Sequence, residues 1–391
     1  MKQAVILAAG EGQRLRPFTV TKPKAMLSIA DKPILQYVIE SLAQNGIRSI
    51  VLVVGYRKEQ IFDHIGSGEQ FGVDINYVTQ DRQVGTAHAL AQTKDAVEDE
   101  FLVLPGDNLI EANTIARFVS MKPEAMLVKR VENPLRYGVV TVDDGVVADI
   151  VEKPKEAVGN IVNTGIYAFN KEVFNFIGTE LDIPSVLNNM LAEGHTVTAL
   201  EADSTWLDIV YPWDILSLND AVLPRITANL GGTIEKGVST KGLVSVGEDT
   251  VIRSGSYILG PALIGKGCEI GPSVVILPAT SIGDNVVISP FSEIQGTVIG
   301  DDVNIGPGCI IQDSIIDKGC IIKGHFTACS SEVEVSPNDE HHLVNVGAML
   351  GEGCKLGNST VAQPGTIVGN YSEIQAFKLI SGQLPDRSLV L

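Results

Sequence analysis

Apolar and polar positions follow two different rules along this chain, and the rule changes near residue 230. Before that point, short Val/Ile/Leu-rich runs alternate with amphipathic segments. Ala4 to Ala8 reads as a buried strand, Ile50 to Val54, Ile75 to Thr79 and Phe101 to Leu104 read as further strands, and Pro33 to Asn45 and Thr86 to Asp95 read as helices. Pro33 suits the first turn of its helix and Gly46 its exit. A last helix is expected from Pro212 towards Asn229, closed by Gly231-Gly232. Alternation of this kind predicts an α/β domain with a Rossmann-like, mostly parallel sheet and helices on both faces.

Beyond the boundary the period is six: Ile252, Ile258, Ile264, Ile270, Ile276, Ile282, Ile288 and Ile294. Gly265, Gly271 and Gly283 each follow their isoleucine. Neither an α-helix nor an alternating strand repeats this way. Six residues per flat face, one aliphatic side chain inward and a small residue near the corner, predict a parallel β-helix built from hexapeptide repeats. The pattern continues through Ile299, Ile305, Ile311, Ile316 and Ile322, breaks from about 326 to 345, and resumes at Leu350, Leu356, Ala362, Val368 and Ile374. Two domains are therefore expected, 1–229 and 230–391. The break reads as an acidic loop in which His341 and His342 are loop residues rather than metal ligands.

Composition narrows the partners. With 391 residues, 45% of them apolar, the chain has ample material for two cores. A formal net charge of -18 argues against nucleic acid or an anionic membrane as partner, so a phosphate site must be a local basic pocket in an acidic body. The first strand starts without a preceding basic and apolar leader, and no run of about 18 apolar residues occurs, which predicts a cytoplasmic protein with no membrane segment. Cys268, Cys309, Cys320, Cys329 and Cys354 are odd in number and form no Cys-x-x-Cys pair, as expected of small buried thiols in a reducing compartment.

The candidate chemistry begins in Leu7-Ala8-Ala9-Gly10-Glu11-Gly12-Gln13-Arg14-Leu15-Arg16-Pro17, continuing to Lys22-Pro23-Lys24. Gly10 and Gly12 allow backbone amides to approach anionic oxygens, and Arg14 and Lys24 add a bidentate fork and a compact charge suited to a polyphosphate. A Walker loop is excluded because no Gly-Lys-Ser/Thr follows Gly10, and a dinucleotide fingerprint fails at Leu15. The segment resembles the opening signature of the sugar-1-phosphate nucleotidyltransferases. That resemblance implies nucleotide contacts from Leu7, Ala9, Gly10 and Gly12, with Arg14 on the leaving pyrophosphate and Lys24 near the reacting phosphates.

Later motifs resemble the same family in matching order. Gln80 and Gln83-Val84-Gly85-Thr86-Ala87-His88 look like its base-binding segment, with Gln80, Gly85 and Thr86 as contacts and His88 structural. The Gly-Thr-Ala-His form most resembles N-acetylglucosamine-1-phosphate uridylyltransferases, which favours UTP. Asp107 in Leu104-Pro105-Gly106-Asp107-Asn108 ends a strand at the carboxyl edge of the sheet, where open α/β folds bind ligands. It matches the family's metal-binding aspartate, and Trp206-Leu207-Asp208 matches the segment supplying a second carboxylate. Two oxygen ligands imply Mg2+ rather than zinc. Tyr137-Gly138-Val139, Ile150 to Pro154 and Asn163-Thr164-Gly165 resemble sugar-binding elements, so Gly138, Glu152, Lys153 and Asn163 are expected to hold the sugar phosphate.

The repeats resemble left-handed β-helix acyltransferase domains, which implies a homotrimer or a multiple of one. Lys323-Gly324-His325-Phe326-Thr327 resembles the catalytic stretch of glucosamine-1-phosphate acetyltransferases, but that pattern's tyrosine is Ala328 here and its upstream lysine is Asp313. Acetyl-CoA and a catalytic His325 therefore enter only if that second site works. The expected activity is Mg2+-dependent transfer of a nucleotidyl group, from UTP by preference, to glucose or N-acetylglucosamine 1-phosphate with release of pyrophosphate. The alternatives are a dTTP-dependent thymidylyltransferase, a bifunctional enzyme that also acetylates glucosamine 1-phosphate, and a catalytically silent sugar-nucleotide sensor.

Overall fold

The computed structural model of the chain describes residues 1–156, 159–336 and 341–391 and divides them into two compact units. The first comprises Met1–Glu11, Lys22–Met26 and Pro33–Asp208, and the second Gly12–Thr21, Leu27–Lys32 and Ile209–Leu391. The division after Asp208 comes before the change of period near residue 230, and part of the opening signature belongs to the second unit.

In the first unit the apolar runs become strands β1 (Gln3–Ala8), β2 (Ser49–Val54), β3 (Asp74–Thr79) and β4 (Glu100–Pro105), joined by β5 (Ala125–Arg130), β6 (Gly138–Asp143), β7 (Val146–Glu152), β8 (Ile161–Asn170) and β9 (Thr198–Glu201). They form one nine-stranded sheet in the order β3-β2-β1-β4-β8-β5-β9-β7-β6. The first four strands run parallel, with Val5 flanked by Val51 and Val103. Both faces are covered. Ala4 and Ile6 pack in a core with Leu35, Val38 and Leu42 of the helix Ile34–Gln44. Val5 packs in the opposite core with Val186, Leu187 and Met190 of the helix Ile183–Ala192. Burial on both sides is why β1, β2 and β4 are continuously apolar, whereas the edge strand β3 alternates and buries only Ile75.

From β8 onward the sheet is mixed, because β8 is antiparallel to both β4 and β5, and β6 and β7 form a hairpin. The hairpin turn is Asp144-Gly145, both at positive φ (45° and 77°), the two-residue connection whose twist matches paired strands. A separate antiparallel ribbon joins Asn108–Ile110 to Trp206–Asp208. Two helices are shorter than expected. The second ends at Ala91, and the one expected from Pro212 spans Asp214–Val222 before Pro224 tightens the chain into a 3-10 turn.

The second unit is built on three parallel sheets of nine, nine and eight strands. Successive isoleucines of the six-residue repeat fall on successive sheets, so Ile252, Ile270, Ile288, Ile305 and Ile322 stack in one ladder. All are essentially fully buried, as are the corresponding columns on the other two sheets. Truncating such a residue typically costs about 2–5 kcal/mol. The interruption is not an irregular loop. Ser331–Val335 and His342–Val346 pair as an antiparallel hairpin, their alternating valines being legible as a strand pattern, and residues 337–340 between them lie outside the described residues. His342 packs on Tyr211 at 4.3 Å and on Trp213 at 5.4 Å, while His341 Nδ1 lies 2.7 Å from Glu334. Four cysteines are buried in the prism; Cys329 is exposed, because it follows the last inward residue of its coil, Ala328. Among the described residues, no helix is long and apolar enough to cross a membrane.

Candidate functional site

The end of β1 is stitched to both of its neighbours. The Leu7 carbonyl accepts from the Gly106 amide (2.9 Å) and the Ala9 carbonyl from the Tyr56 amide (3.1 Å). These bonds place the loop after β1 beside the loop after β4, at the carboxyl edge of the parallel strands. Gly10 is exposed, and a Cβ there would meet nothing within 4 Å, so packing within the protein does not require glycine at that position. The absent side chain leaves open backbone at the mouth of the site. Gly12, at φ 75°, caps the 3-10 turn Gln13–Leu15, which carries Arg14, half-buried; both belong to the second unit.

Within the first unit, Lys24, Asp107 and Asp208 converge although they lie far apart in sequence. The Lys24 ammonium contacts Asp107 Oδ2 and lies 3.8 Å from Asp208 Oδ1, with all three side chains about one-fifth exposed. The ribbon explains the meeting: Asp208 pairs with Asn108, the residue after Asp107. Asn108 is buried and donates to the Thr164 carbonyl at 3.1 Å, so the carboxylate ribbon is also tied to β8. Two carboxylates already gathered around a cationic nitrogen form a place that accommodates positive charge, and an all-oxygen donor set suits a hard ion such as Mg2+. A second group of metal-type side chains, Glu124, Glu172 and His195, has its ligand atoms within 4.8 Å of one another, but His195 Nδ1 already bonds Glu124 at 2.9 Å.

Three of the four expected sugar-site residues also come together. Gly138 pairs with Glu152 across the β6–β7 hairpin, and a Cβ at 138 would lie 2.7 Å from Glu152 Oε2 and 3.6 Å from Asn163 Cβ. Asn163 is held in turn, donating to the Tyr167 hydroxyl (2.6 Å) and accepting from the Gly165 amide (2.9 Å). The protein around Glu152 displaces water and raises its pKa above the ordinary carboxylate value; Lys153 opposes this and Asp182 adds to it. Burial likewise drives the Tyr167 phenol well above its usual range. Lys153 is exposed, at φ 41°, with its amide bonded to the Tyr137 carbonyl.

The expected base-reading segment is built around Gln80, which is buried and donates to the Gly85 carbonyl at 3.0 Å, with His88 Nδ1 2.9 Å from the same amide nitrogen. His88 thus helps fix Gln80. Gly85 is at φ 147°, and a Cβ there would lie 2.0 Å from the Leu181 carbonyl oxygen, so no other residue fits. The Thr86 hydroxyl accepts from the Ile183 amide (3.1 Å), which docks this loop on the start of the helix Ile183–Ala192. Sequence reasoning passed over Asn108, although it stands inside the quoted motif, and Asn188, which bonds both backbone groups of Ile150 and so braces β7 near Glu152.

In the second unit His325 is exposed at a prism corner, φ 60°, its ring beside Gly308, where an added Cβ would lie 2.8 Å from Nδ1. Ala328 is fully buried, stacked on Ile311 inside the prism, so packing rather than chemistry sets the residue size there.

Residues 3–224 match the family model described as nucleotidyl transferase, and residues 258–336 match the one described as GMPPB C-terminal domain. The chain is similar to the bifunctional protein GlmU of Methanococcus maripaludis (strain C5), 33% identical, covering 99% of this chain and 96% of that protein. It is also similar to the bifunctional sugar-1-phosphate nucleotidylyltransferase/acetyltransferase of Sulfurisphaera tokodaii, 32% identical over 95% of each chain. Among solved structures, a putative glucose-1-phosphate thymidylyltransferase from Bacillus anthracis, in complex with a sucrose, matches with a TM-score of 0.53 and 30% identity, covering 59% of this chain and 97% of that one.

Proposed function

Since this chain belongs to the nucleotidyl transferase family and is a sugar-1-phosphate nucleotidyltransferase, we propose that it joins UTP to glucose or N-acetylglucosamine 1-phosphate with Mg2+, releasing pyrophosphate. The observation that carries the site assignment is the convergence of Lys24, Asp107 and Asp208 at the carboxyl edge of the sheet. It favours an active enzyme over a silent sensor, because the cation and both carboxylates are present and assembled.

In this reading an oxygen of the sugar phosphate attacks the α-phosphorus, the bond from that phosphorus to the bridging oxygen of the β-phosphate breaks, and pyrophosphate leaves. Asp107 and Asp208 would hold Mg2+, which when bound neutralises phosphate charge. Lys24 places a fixed positive charge beside the reacting phosphates, and Arg14 takes the leaving pyrophosphate through its planar fork. Gln80, whose amide nitrogen is engaged by Gly85 and His88, would present its side-chain carbonyl oxygen to the pyrimidine, with Leu7, Ala9, Gly10, Gly12, Gly85 and Thr86 as backbone or side-chain contacts. Glu152 accepts from sugar hydroxyls, Gly138 and Asn163 line the same pocket, and Lys153 holds the sugar phosphate. Both reactants are anionic, so alignment and charge neutralisation dominate the barrier. Asp107→Asn and Asp208→Asn are each expected to lose more than about nine-tenths of pyrophosphate release, since such neutralisation is worth several kcal/mol; turnover retained in Asp107→Asn would refute the assignment.

Residues 1–229 are proposed as the catalytic domain and 230–391 as the β-helix domain of a cytoplasmic homotrimer. Supporting association, one sheet of the prism turns Ile310, Val361 and Leu379 outward, and Phe291 and Phe377 stand 74% and 80% exposed. A second reading, acetylation of glucosamine 1-phosphate by acetyl-CoA, is supported by the names of the two relatives and by the exposure of His325. Since Ala328 faces the core, its departure from the tyrosine of the acetyltransferase pattern counts less against this second activity than the sequence alone implied.

A further inference from the structure

The strand that carries Asp208 is anchored at its entry by Lys129. Lys129, half-buried on β5, donates from its ammonium to the carbonyl oxygens of Ala202 (3.0 Å) and Ser204 (2.8 Å). Strand β9 ends beside β5 with Glu201 opposite Val128, and the Ala202 amide makes one last bond to the Val128 carbonyl at 2.8 Å. The chain then leaves the sheet and enters the ribbon at Trp206. Two carbonyls two residues apart, both aimed at one nitrogen, curl this connection around Lys129. The outer side of the turn is pinned separately: Ser204 Oγ lies 2.5 Å from Thr114 Oγ1, and Asp203 pairs with Arg117. Trp206 follows, buried against Tyr137 at 5.3 Å between ring centres, and two residues later comes Asp208.

An ammonium has three donors and no acceptor, so it satisfies several carbonyls at once, which no neutral aliphatic end can do. Removing it would leave two partly buried carbonyls unpartnered and free the turn to rearrange. We propose that Lys129 is a positioning residue for catalysis: by gripping Ala202 and Ser204 it fixes where the Asp208 carboxylate stands relative to Asp107 and Lys24, without itself touching substrate. This rests on the reading of Asp208 as a metal ligand.

The test uses the full chain and its Lys129→Met, Lys129→Arg and Asp208→Asn variants. Mn2+ binding in the presence of UTP is followed by electron paramagnetic resonance, alongside pyrophosphate release as a function of Mg2+ concentration. Lys129→Met is expected to weaken the metal midpoint by about tenfold or more, the usual effect of losing a group that orients a metal ligand. Its turnover should recover at saturating Mg2+ and its melting temperature should stay close to that of the parent. Lys129→Arg, which keeps the charge and the donors, should restore most of the affinity. Should the methionine variant fail to fold, Lys129→Gln, uncharged and with two amide N–H donors on a shorter stem, carries the same measurement. A metal midpoint unchanged in Lys129→Met, or activity lost equally at all metal concentrations, overturns the proposal while leaving the Asp208 reading intact if Asp208→Asn is inactive. Full activity in Asp208→Asn overturns both.

Discussion

Gly138 and Glu152 pair across a hairpin so closely that the smallest side chain at 138 would come within 2.7 Å of the Glu152 carboxylate. Glycine at this position is a matter of space beside a charged group rather than of backbone conformation. Gly138→Ala is therefore expected to push Glu152 out of place and raise the KM for the sugar 1-phosphate, with the KM for the nucleotide nearly unchanged, because Gln80 and Gly85 are held by separate contacts. Steady-state kinetics with each substrate varied in turn checks this. Equal effects on both constants would contradict the placement of Glu152 in the sugar pocket.

Glu152 also carries a pH signature. Its pKa is raised because surrounding protein strips water from the ionised form, so the native state binds a proton more readily than the unfolded chain. The ionised carboxylate accordingly costs stability. That cost is absent below the unfolded-state value of about 4.3 and complete once the pH exceeds the raised native value. Glu152→Gln should raise the melting temperature at neutral pH, lose that advantage near pH 4, and abolish sugar-phosphate turnover throughout. A melting temperature lowered at neutral pH would show instead that the ionised group is stabilised by its neighbours.

Assembly through the exposed apolar edge of the β-helix is the expectation tested by subunit number. Phe291 and Phe377, each at a positive-φ corner (65° and 62°), are exposed, whereas several other corners carry polar residues, as at Asp249, Asn285 and Ser359. Light scattering of the full chain is expected to give three subunits or a multiple of three. The double variant Phe291→Ser, Phe377→Ser should shift the protein to smaller species. A monomeric parent chain would contradict the account of this edge.

Much of the fold was legible because its signals are local and repeated. Strands covered on both faces appear as unbroken apolar runs, and an isoleucine at every sixth position can stack only if the chain coils in three flat faces. What escaped were features set by single turns. Asp144-Gly145 is a hairpin signal that passes unnoticed beside longer motifs, and with it goes the mixed half of the sheet. Pro224 shortens a helix whose apolar pattern continues past it. Lys24, Asp107 and Asp208 were all named through the family resemblance, but the antiparallel pairing of Asp208 with Asn108 that brings the second carboxylate beside the first is encoded in no spacing of the sequence. Lys129 was invisible for a similar reason: its partners are backbone carbonyls, which carry no residue identity.

The decisive measurement of the proposed reaction is pyrophosphate release from the purified full chain with UTP, dTTP, GTP, CTP and ATP, each against glucose, N-acetylglucosamine and glucosamine 1-phosphates. Release is expected to depend on Mg2+, to be fastest with UTP and either glucose or N-acetylglucosamine 1-phosphate, and to fall away in Asp107→Asn. Release fastest with GTP, or none with any pair, would contradict the proposed reaction.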